Sequence, residues 1–319
     1  MMDYFFSCDW GTSSFRLRLI RTKDLVVIAE TKSSRGISDT YKLWQQISAS
    51  SLRSDFYANI VKDEIKFLQQ DLSIPTDGIP VLFSGMASST IGMLDLPYKK
   101  MPFNVDGSDL KIEFIINGVG VNPFVIISGA KTDCDVMRGE ETKVVGCQSF
   151  LGNNDEQMLI LPGTHPKHIL VKNNQAISFK TYMTGEFFNL LSVNGVLSAS
   201  VAEGGDFDDF QNQEYFKAGV AASRGSNLLH ASFMVRTNQV LKDIAPEQNF
   251  YYLSGLLIGT ELSRLQPEVP VYLVGGSVHA ALYKLACNEL NLSVNKEIDA
   301  DHALIRGQHA IFSKSSGLY

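Results

Sequence analysis

The chain builds one local unit twice: an apolar run, a Gly-Thr turn, and two further strand-like runs. The first copy is Tyr4-Phe5-Phe6 leading into Asp9-Trp-Gly-Thr-Ser-Ser-Phe-Arg16. The second is Met158-Leu159-Ile160 leading into Leu161-Pro-Gly-Thr-His165. A layout repeated in this way predicts two halves of one cleft. Gly-Thr turns present backbone N–H groups and a hydroxyl, which are phosphate ligands. The cleft is therefore expected to hold a nucleotide.

The patterns around each turn agree. Phe15, Leu17 and Leu19 alternate with Arg16 and Arg18, the period of a half-buried strand. Leu25–Ile28 resumes after the turn-like Thr22-Lys23-Asp24, so residues 4–31 read as an antiparallel meander. Helical patterns follow at Tyr41–Ser48 and Phe56–Gln69, then short buried strands at Pro80–Phe83 and Phe124–Ile127. The spacing of Val136, Glu140, Lys143 and Cys147 predicts a helix from about Asp135 to Phe150.

The polar stretch Gly152–Glu156 is the expected boundary. Strand patterns restart at Met158–Leu161, Lys167–Val171 and Ala176–Thr181, with Lys172-Asn173-Asn174 making the last turn. Helices are expected at about 185–193, 207–222 and 226–242, and a buried one at Phe250–Leu265, which is apolar nearly all round. Val271–Val274 reads as a buried strand, Gly275-Gly276-Ser277 opens a helix, and a last helix covers Ala303–Ser313. The domains are expected at 1–150 and 151–319, with the Asp9–Thr12 turn and the helix expected from Asp135 to Phe150 in the former. The Pro162–His165 turn, the Gly275–Ser277 turn and the last helix fall in the latter.

Composition narrows the function classes. Of 319 residues, 28 are basic and 34 acidic, for a net charge of −6, and no basic stretch offers a nucleic-acid surface. No apolar run approaches the ~20 residues of a membrane helix. The start, Met1–Phe6, lacks the basic n-region of a signal peptide. Four scattered cysteines, Cys8, Cys134, Cys147 and Cys287, make neither a disulfide framework nor a zinc site, and a reducing cytoplasm is expected.

Several residues are candidates for chemistry. A carboxylate at the end of a buried strand costs desolvation without a partner. Asp9 is therefore a candidate for Mg²⁺, with Gly11 and Thr12 against phosphate; the alternative is a plain turn. Gly163 and Thr164 form the second phosphate cradle, and His165 is either a phosphate donor or a turn residue. Gly275, Gly276 and Ser277 stand where a helix N-terminus meets a strand, suited to adenosine or phosphate, or to tight packing alone. Asp135 is either a helix cap or the general base that takes a proton from a substrate hydroxyl, a role Glu140 also fits. Arg138 is a candidate to neutralise a neighbouring carboxylate. Ser84, Ser88 and Ser89, in a small-residue loop, suit a polyol or carboxylate, or solvent. Thr184-Gly185-Glu186 is either a cap or a site wall.

Taken together, the three glycine-rich strand-end turns resemble the actin/hexokinase/heat-shock-70 ATPase superfamily. The motifs DWGTSSFR, SGMASSTIG, DVMRGEET, LPGTHPKHI, YMTGEFFNLL, SGLLIGTEL and VGGS, in this order, resemble the 2-dehydro-3-deoxygalactonokinase family. The resemblance implies an α/β fold of two related domains of the actin-like ATPase (ribonuclease H-like) type. Each would be a mixed sheet opening with a three-strand meander, around an interdomain cleft. It implies transfer of phosphate from MgATP to the 6-hydroxyl of 2-dehydro-3-deoxy-D-galactonate. Asp9, Gly11, Thr12, Gly163 and Thr164 would face phosphate and metal, and Gly275 and Gly276 adenosine. The base would be Asp135 or Glu140, at the start of the first connecting helix. Pro162 stands where the superfamily often has an acidic residue, which leaves metal binding mainly to Asp9.

The expected partners are a small sugar acid and ATP, with neither nucleic acid nor membrane. Domain closure would exclude water from the transfer. Arg16 or Arg18, on one strand face, is expected to hold the substrate carboxylate. The rival readings are a phosphohydrolase of the same fold and a non-catalytic nucleotide or sugar-acid sensor. A sensor would usually need an added binding module, and no helix-turn-helix extension is expected ahead of Tyr4.

Overall fold

The computed structural model describes residues 2–47, 52–115, 122–152, 155–225 and 227–315. In chain order the first stretch forms β1 (Tyr4–Trp10), β2 (Phe15–Arg21), β3 (Val26–Ser33), α1 (Ile37–Ile47), α2 (Arg53–Gln69), β4 (Val81–Gly85), β5 (Lys99–Lys100), β6 (Phe103–Asn104), β7 (Ile112–Ile115), β8 (Phe124–Ile127), β9 (Ala130–Lys131), β10 (Val136–Met137) and α3 (Glu140–Gly146). The second forms β11 (Gln157–Leu161), β12 (Lys167–Lys172), β13 (Gln175–Thr181), α4 (Thr184–Val193), α5 (Phe210–Ser223), α6 (Leu228–Lys242), α7 (Pro246–Leu262), β14 (Val271–Gly275), α8 (Ser277–Glu289), β15 (Val294–Asp299) and α9 (Ala300–Ser315).

The chain forms two compact units. One holds Met1–Asn153, Asn174–Ser178 and Asp301–Tyr319; the other holds Asn154–Asn173 and Phe179–Ala300. The last helix, placed by sequence in the C-terminal span, therefore packs in the first unit. Ile305 lies there among Phe5, Ile20, Leu82 and Val125.

In the first unit the sheet order is β3-β2-β1-β4-β8-β7. β1, β2 and β3 pair antiparallel, as the alternation predicts, while β4 adds parallel to β1 and β8 parallel to β4. β4 and β8 are buried along their length, as central parallel strands require. α2 presents Tyr57, Ala58, Val61 and Ile65 to the core with Phe6, Trp10, Leu17 and Phe83, the i, i+4 stripe of an amphipathic helix. α3 and α9 cross at two glycines. A Cβ on Gly146 would lie 1.7 Å from the Ala303 carbonyl oxygen, and one on Gly307 would lie 1.8 Å from that of Thr142.

The second unit repeats the layout. β11 and β12 pair antiparallel, and β14 and β15 add in parallel beyond β11. Asn173 and Asn174 take positive φ, 52° and 58°, to make the turn into β13, a conformation asparagine tolerates. α7 is buried on most sides, with Leu253, Leu256, Leu257 and Leu262 inside. It meets α5 at Gly219 and Gly255, whose Cβ atoms would lie 2.1 and 2.0 Å from the facing backbone.

One expected helix is corrected, and one strand is added to those expected. The helix predicted from Asp135 to Phe150 begins only at Glu140 and ends at Gly146. Val136 and Met137 instead pair with β9, and Gly139 has φ +109°, which a right-handed helix cannot accommodate. β15, Val-Asn-Lys-Glu-Ile-Asp, carries too few apolar residues to read as a strand; parallel backbone pairing with β14 makes it one.

Candidate active site

In the first unit the site is built on the end of β1. Trp10 is fully buried against Phe15 and Tyr57, and its indole N–H donates to the Arg35 carbonyl at 3.1 Å. This anchor fixes Asp9, half-buried one residue earlier and in register with Ser84 of β4 and Arg16 of β2. The following turn closes with the Gly11 N–H on the Ser14 carbonyl at 2.9 Å. The start of α1 holds it from behind: the Ile37 and Ser38 N–H groups donate to the Gly11 and Thr12 carbonyls at 2.9 and 3.1 Å. Thr12, Ser13 and Ser14 are left exposed. Beside them lies a polar cavity of about 360 Å³ bordered by Asp9, Ser14, Arg16 and Lys32.

Asp9 is joined to α3 through two glycines. Gly85 has φ +90°, and a Cβ there would lie 2.9 Å from the Trp10 carbonyl oxygen and 3.5 Å from the Asp9 Oδ1. A Cβ on Gly139 would lie 3.2 Å from the Gly85 Cα. The chain passes from Gly139 directly into Glu140, the first residue of α3, whose carboxylate accepts the Arg138 backbone N–H at 2.9 Å. Asp135 sits five residues earlier, in a tight turn. Its own N–H donates to the Thr132 hydroxyl at 2.9 Å, and its carboxylate accepts the Val136 N–H at 2.7 Å.

Glu141, the next residue, is fully buried. Its carboxylate accepts the Gly139 N–H at 2.8–2.9 Å and the Thr142 hydroxyl at 3.1 Å. Burial, with the Glu140 carboxylate beside it, pushes its pKa up to about 8. Behind it the Gln308 side-chain amide of α9 donates to the Cys8 and Leu82 carbonyls and to the Ser84 hydroxyl, at 3.0–3.1 Å. Ser84 in turn donates to the Thr142 hydroxyl at 3.2 Å. The Ser84 hydroxyl is thus sealed inside the fold, and the Ser89 hydroxyl donates to its own turn at Met86. Ser88 differs: its carbonyl and hydroxyl both accept from the Arg138 guanidinium.

The two expected carboxylate-binding arginines are already paired. Asp301 accepts from Arg16 Nη1 with both oxygens, at 2.8 and 2.7 Å, and from Arg18 Nη2 at 2.5 Å. Arg18, nearly buried, also donates to Glu30 at 2.6 Å, and the Arg18 guanidinium helps hold the Glu30 carboxyl below its usual range.

In the second unit the turn Pro162–His165 rests on the start of α4. A Cβ on Gly185 would lie 2.6 Å from the Gly163 carbonyl oxygen, and the Glu186 N–H donates to the Thr164 carbonyl at 3.1 Å. His165 Nε2 meets the Glu186 carboxylate at 2.5 Å. Gly163 and Thr164 open onto a cavity of about 470 Å³ walled by Phe188, Phe207, Phe250 and Tyr251 and by the first turns of α8. Gly275, Gly276 and Ser277 stand at the start of α8, immediately before Val278 and His279 of that wall. No Cβ on Gly276 would meet an atom within 4 Å, so its backbone is open to a ligand.

Beneath this cavity Glu261 is a buried hub. Its carboxylate meets His168 Nε2 at 2.7 Å and accepts from the Tyr283 hydroxyl at 2.8 Å and from the Thr184 hydroxyl. Neither Glu141 nor Glu261 was singled out by sequence, yet both carry a readable signal. Glu141 lies on the stripe it forms with Val144 and Val145, and Glu261 on that of Leu257 and Ile258. A carboxylate on an apolar stripe has to be satisfied inside the fold.

The model of the 2-keto-3-deoxy-galactonokinase family matches residues 9–311. The chain belongs to this family. It is 29% identical over 316 residues to the Rhizobium meliloti protein named probable 2-dehydro-3-deoxygalactonokinase, covering 96% of each chain. It is 29% identical over 222 residues to the 2-dehydro-3-deoxygalactonokinase of Escherichia coli, covering 67% of this chain and 72% of that one. A crystal structure of a Sinorhizobium meliloti protein, provisionally assigned the same activity, superposes with a TM-score of 0.77 at 26% identity over 99% of both chains. The activator of 2-hydroxyisocaproyl-CoA dehydratase from Clostridium difficile shares the fold, with a TM-score of 0.50 and 11% identity over 99% of this chain and 97% of that one. Family membership makes the chain a carbohydrate kinase that uses a nucleotide and a sugar acid as small-molecule partners. Among the described residues no helix is long and apolar enough to cross a membrane.

Proposed function

We propose that the chain transfers the γ-phosphate of ATP to the 6-hydroxyl of 2-dehydro-3-deoxy-D-galactonate in the cytoplasm. The observation that carries the reading is the family match from Asp9 to Ile311, which includes the β1 turn, α3, the Gly163-Thr164 turn and α9. In this reading Glu140 is the general base. It takes the proton of the 6-hydroxyl as that oxygen attacks phosphorus and ADP leaves. Glu140 is preferred to Asp135 because it opens α3 next to the Gly139–Gly85 contact that leads to Asp9, whereas Asp135 lies five residues earlier, in the Thr132–Val136 turn.

The donor set at Asp9 fits magnesium. Among the described residues no group of three or more His, Cys, Asp or Glu side chains could hold a metal alone. Mg²⁺ is commonly held by one or two carboxylates together with substrate phosphates and water. Asp9 would hold it, and the ion would neutralise charge on the transferring phosphate. Gly11 and Thr12 would meet phosphate in the first unit, and Gly163 and Thr164 in the second. The aromatic cavity of the second unit has the size and character of a nucleoside pocket.

The test is ADP release with MgATP across a panel of aldonates and 2-keto-3-deoxy sugar acids. Release that requires a 2-keto-3-deoxy acid is expected. Release that ignores the sugar acid would mark a phosphohydrolase, and binding without turnover would mark a sensor.

A further inference from the structure

We propose that Arg138 is the residue that binds the carboxylate of the sugar acid. The inference rests on the kinase reading above and adds to it the group that recognises the acid.

Arg138 lies two residues before Glu140, on the segment that connects β10 to α3. Its guanidinium is held from two sides. Nη1 donates to the Ser88 carbonyl and, at 2.7 Å, to the Ser88 hydroxyl. Its Cζ stands 4.1 Å from the centroid of the Tyr98 ring, a close cation–π stack. The ring is itself fixed: its Cε1 and Cδ1 lie 2.8 and 2.9 Å from where a Cβ on Gly129 would be, so only glycine leaves it room. These contacts orient the planar fork without neutralising it.

Among the described residues no carboxylate lies within salt-bridge distance of Arg138, and its Nε and Nη2 make no hydrogen bond. Arg16 and Arg18 differ, since Asp301 and Glu30 compensate both. A half-buried guanidinium with free donors and no counter-ion is costly unless an anion completes it. The free edge offers two N–H groups, the geometry that grips a carboxylate bidentately. The Arg138 backbone N–H already holds the Glu140 carboxylate at 2.9 Å. One residue thus positions the base through its main chain and offers its side chain to the acid. Ser88, expected from sequence to touch substrate, enters as the clamp on that arginine.

The experiment compares the full-length wild type with Arg138→Gln and Arg138→Lys, using 2-keto-3-deoxy-galactonate and its C1 carboxamide as acceptors, with thermal melting as a check of the fold. Arg138→Gln is expected to raise KM for the acid about 100-fold, the loss of a charge-assisted bidentate pair. KM for MgATP should stay within about twofold, and the carboxamide should lose far less than the acid, because a neutral amide forms no charge-assisted pair with the guanidinium. Arg138→Lys should recover part of the loss. The proposal is overturned if Arg138→Gln leaves KM for the acid unchanged, or if acid and carboxamide suffer equally, which is the signature of a structural role. A wild type that turns over no sugar acid overturns the kinase reading and this assignment together, and is recognised before any variant is made.

Discussion

Gly139 stands with its backbone against Gly85, close enough that a Cβ on Gly139 would come within 3.2 Å of the Gly85 Cα. The contact ties the entry to α3 to the end of β4, and Gly85 in turn packs on the Trp10 carbonyl beside Asp9. Both glycines have positive φ, 109° and 90°, so a side chain at either meets strain as well as crowding. Gly139→Ala is expected to destabilise the protein by about 1–3 kcal/mol and to lower kcat at least tenfold by displacing Glu140. Urea unfolding and steady-state kinetics check this. Unchanged kcat in a folded variant would show that the Glu140 position does not depend on this contact.

The two base candidates separate by substitution. Glu140→Gln should lose on the order of 10²–10⁴-fold in kcat, the usual worth of a general base, with little change in KM for MgATP. Asp135→Asn removes charge from a turn whose hydrogen bond to the Val136 N–H an amide oxygen can still accept, so it should retain most of kcat. The reverse ranking would move the base to Asp135.

Glu141 predicts a pH dependence. Its pKa is raised by burial from 4.5 in the unfolded chain to about 8 in the fold, so the folded state favours the protonated form. The stability it contributes is full below about pH 4.5 and is lost as pH rises through about 8. Glu141→Gln keeps a neutral group of the same shape and should not show that loss. The difference in melting temperature, variant minus wild type, should therefore increase from pH 5 to pH 8.5. A difference that is flat across this range would mean that Glu141 is ionised in the fold throughout.

How much of this was legible in the sequence depends on what holds each part together. The β1–β3 meander was legible because Phe15, Leu17 and Leu19 face one core and their neighbours do not. The second unit was legible for the same reason, as was α7, where Leu253, Leu256 and Leu257 announce burial. The start of α3 was not, because Gly139 breaks a spacing that Val136 and Glu140 satisfy by coincidence. β15 was hidden because backbone pairing with β14, rather than side-chain burial, makes it a strand. The Gly-Thr turns were visible as phosphate candidates, but the partners of Arg16 and Arg18 were not. Asp301 lies 285 residues from Arg16 in the chain, and no local pattern links them.

Glu261 joins three groups below the aromatic cavity, and its removal should report on the nucleotide side alone. The carboxylate satisfies His168, Tyr283 and the Thr184 hydroxyl in a site almost closed to solvent. Its negative charge is also one of the causes, after burial, that raise the Tyr283 and Cys287 pKa values. Thr184 borders the cavity beside Gly163, Thr164 and Gly185. Glu261→Ala leaves the buried His168 and Tyr283 and the half-buried Thr184 hydroxyl without their acceptor and should cost about 3–5 kcal/mol, at roughly 1–3 kcal/mol for each buried polar group left unsatisfied. Glu261→Gln keeps one acceptor oxygen and the volume, so it should fold while presenting Thr184 less rigidly. Its expected signature is a KM for MgATP raised several-fold with KM for the sugar acid unchanged. A change confined to the sugar acid would detach Glu261 and its cavity from the nucleotide.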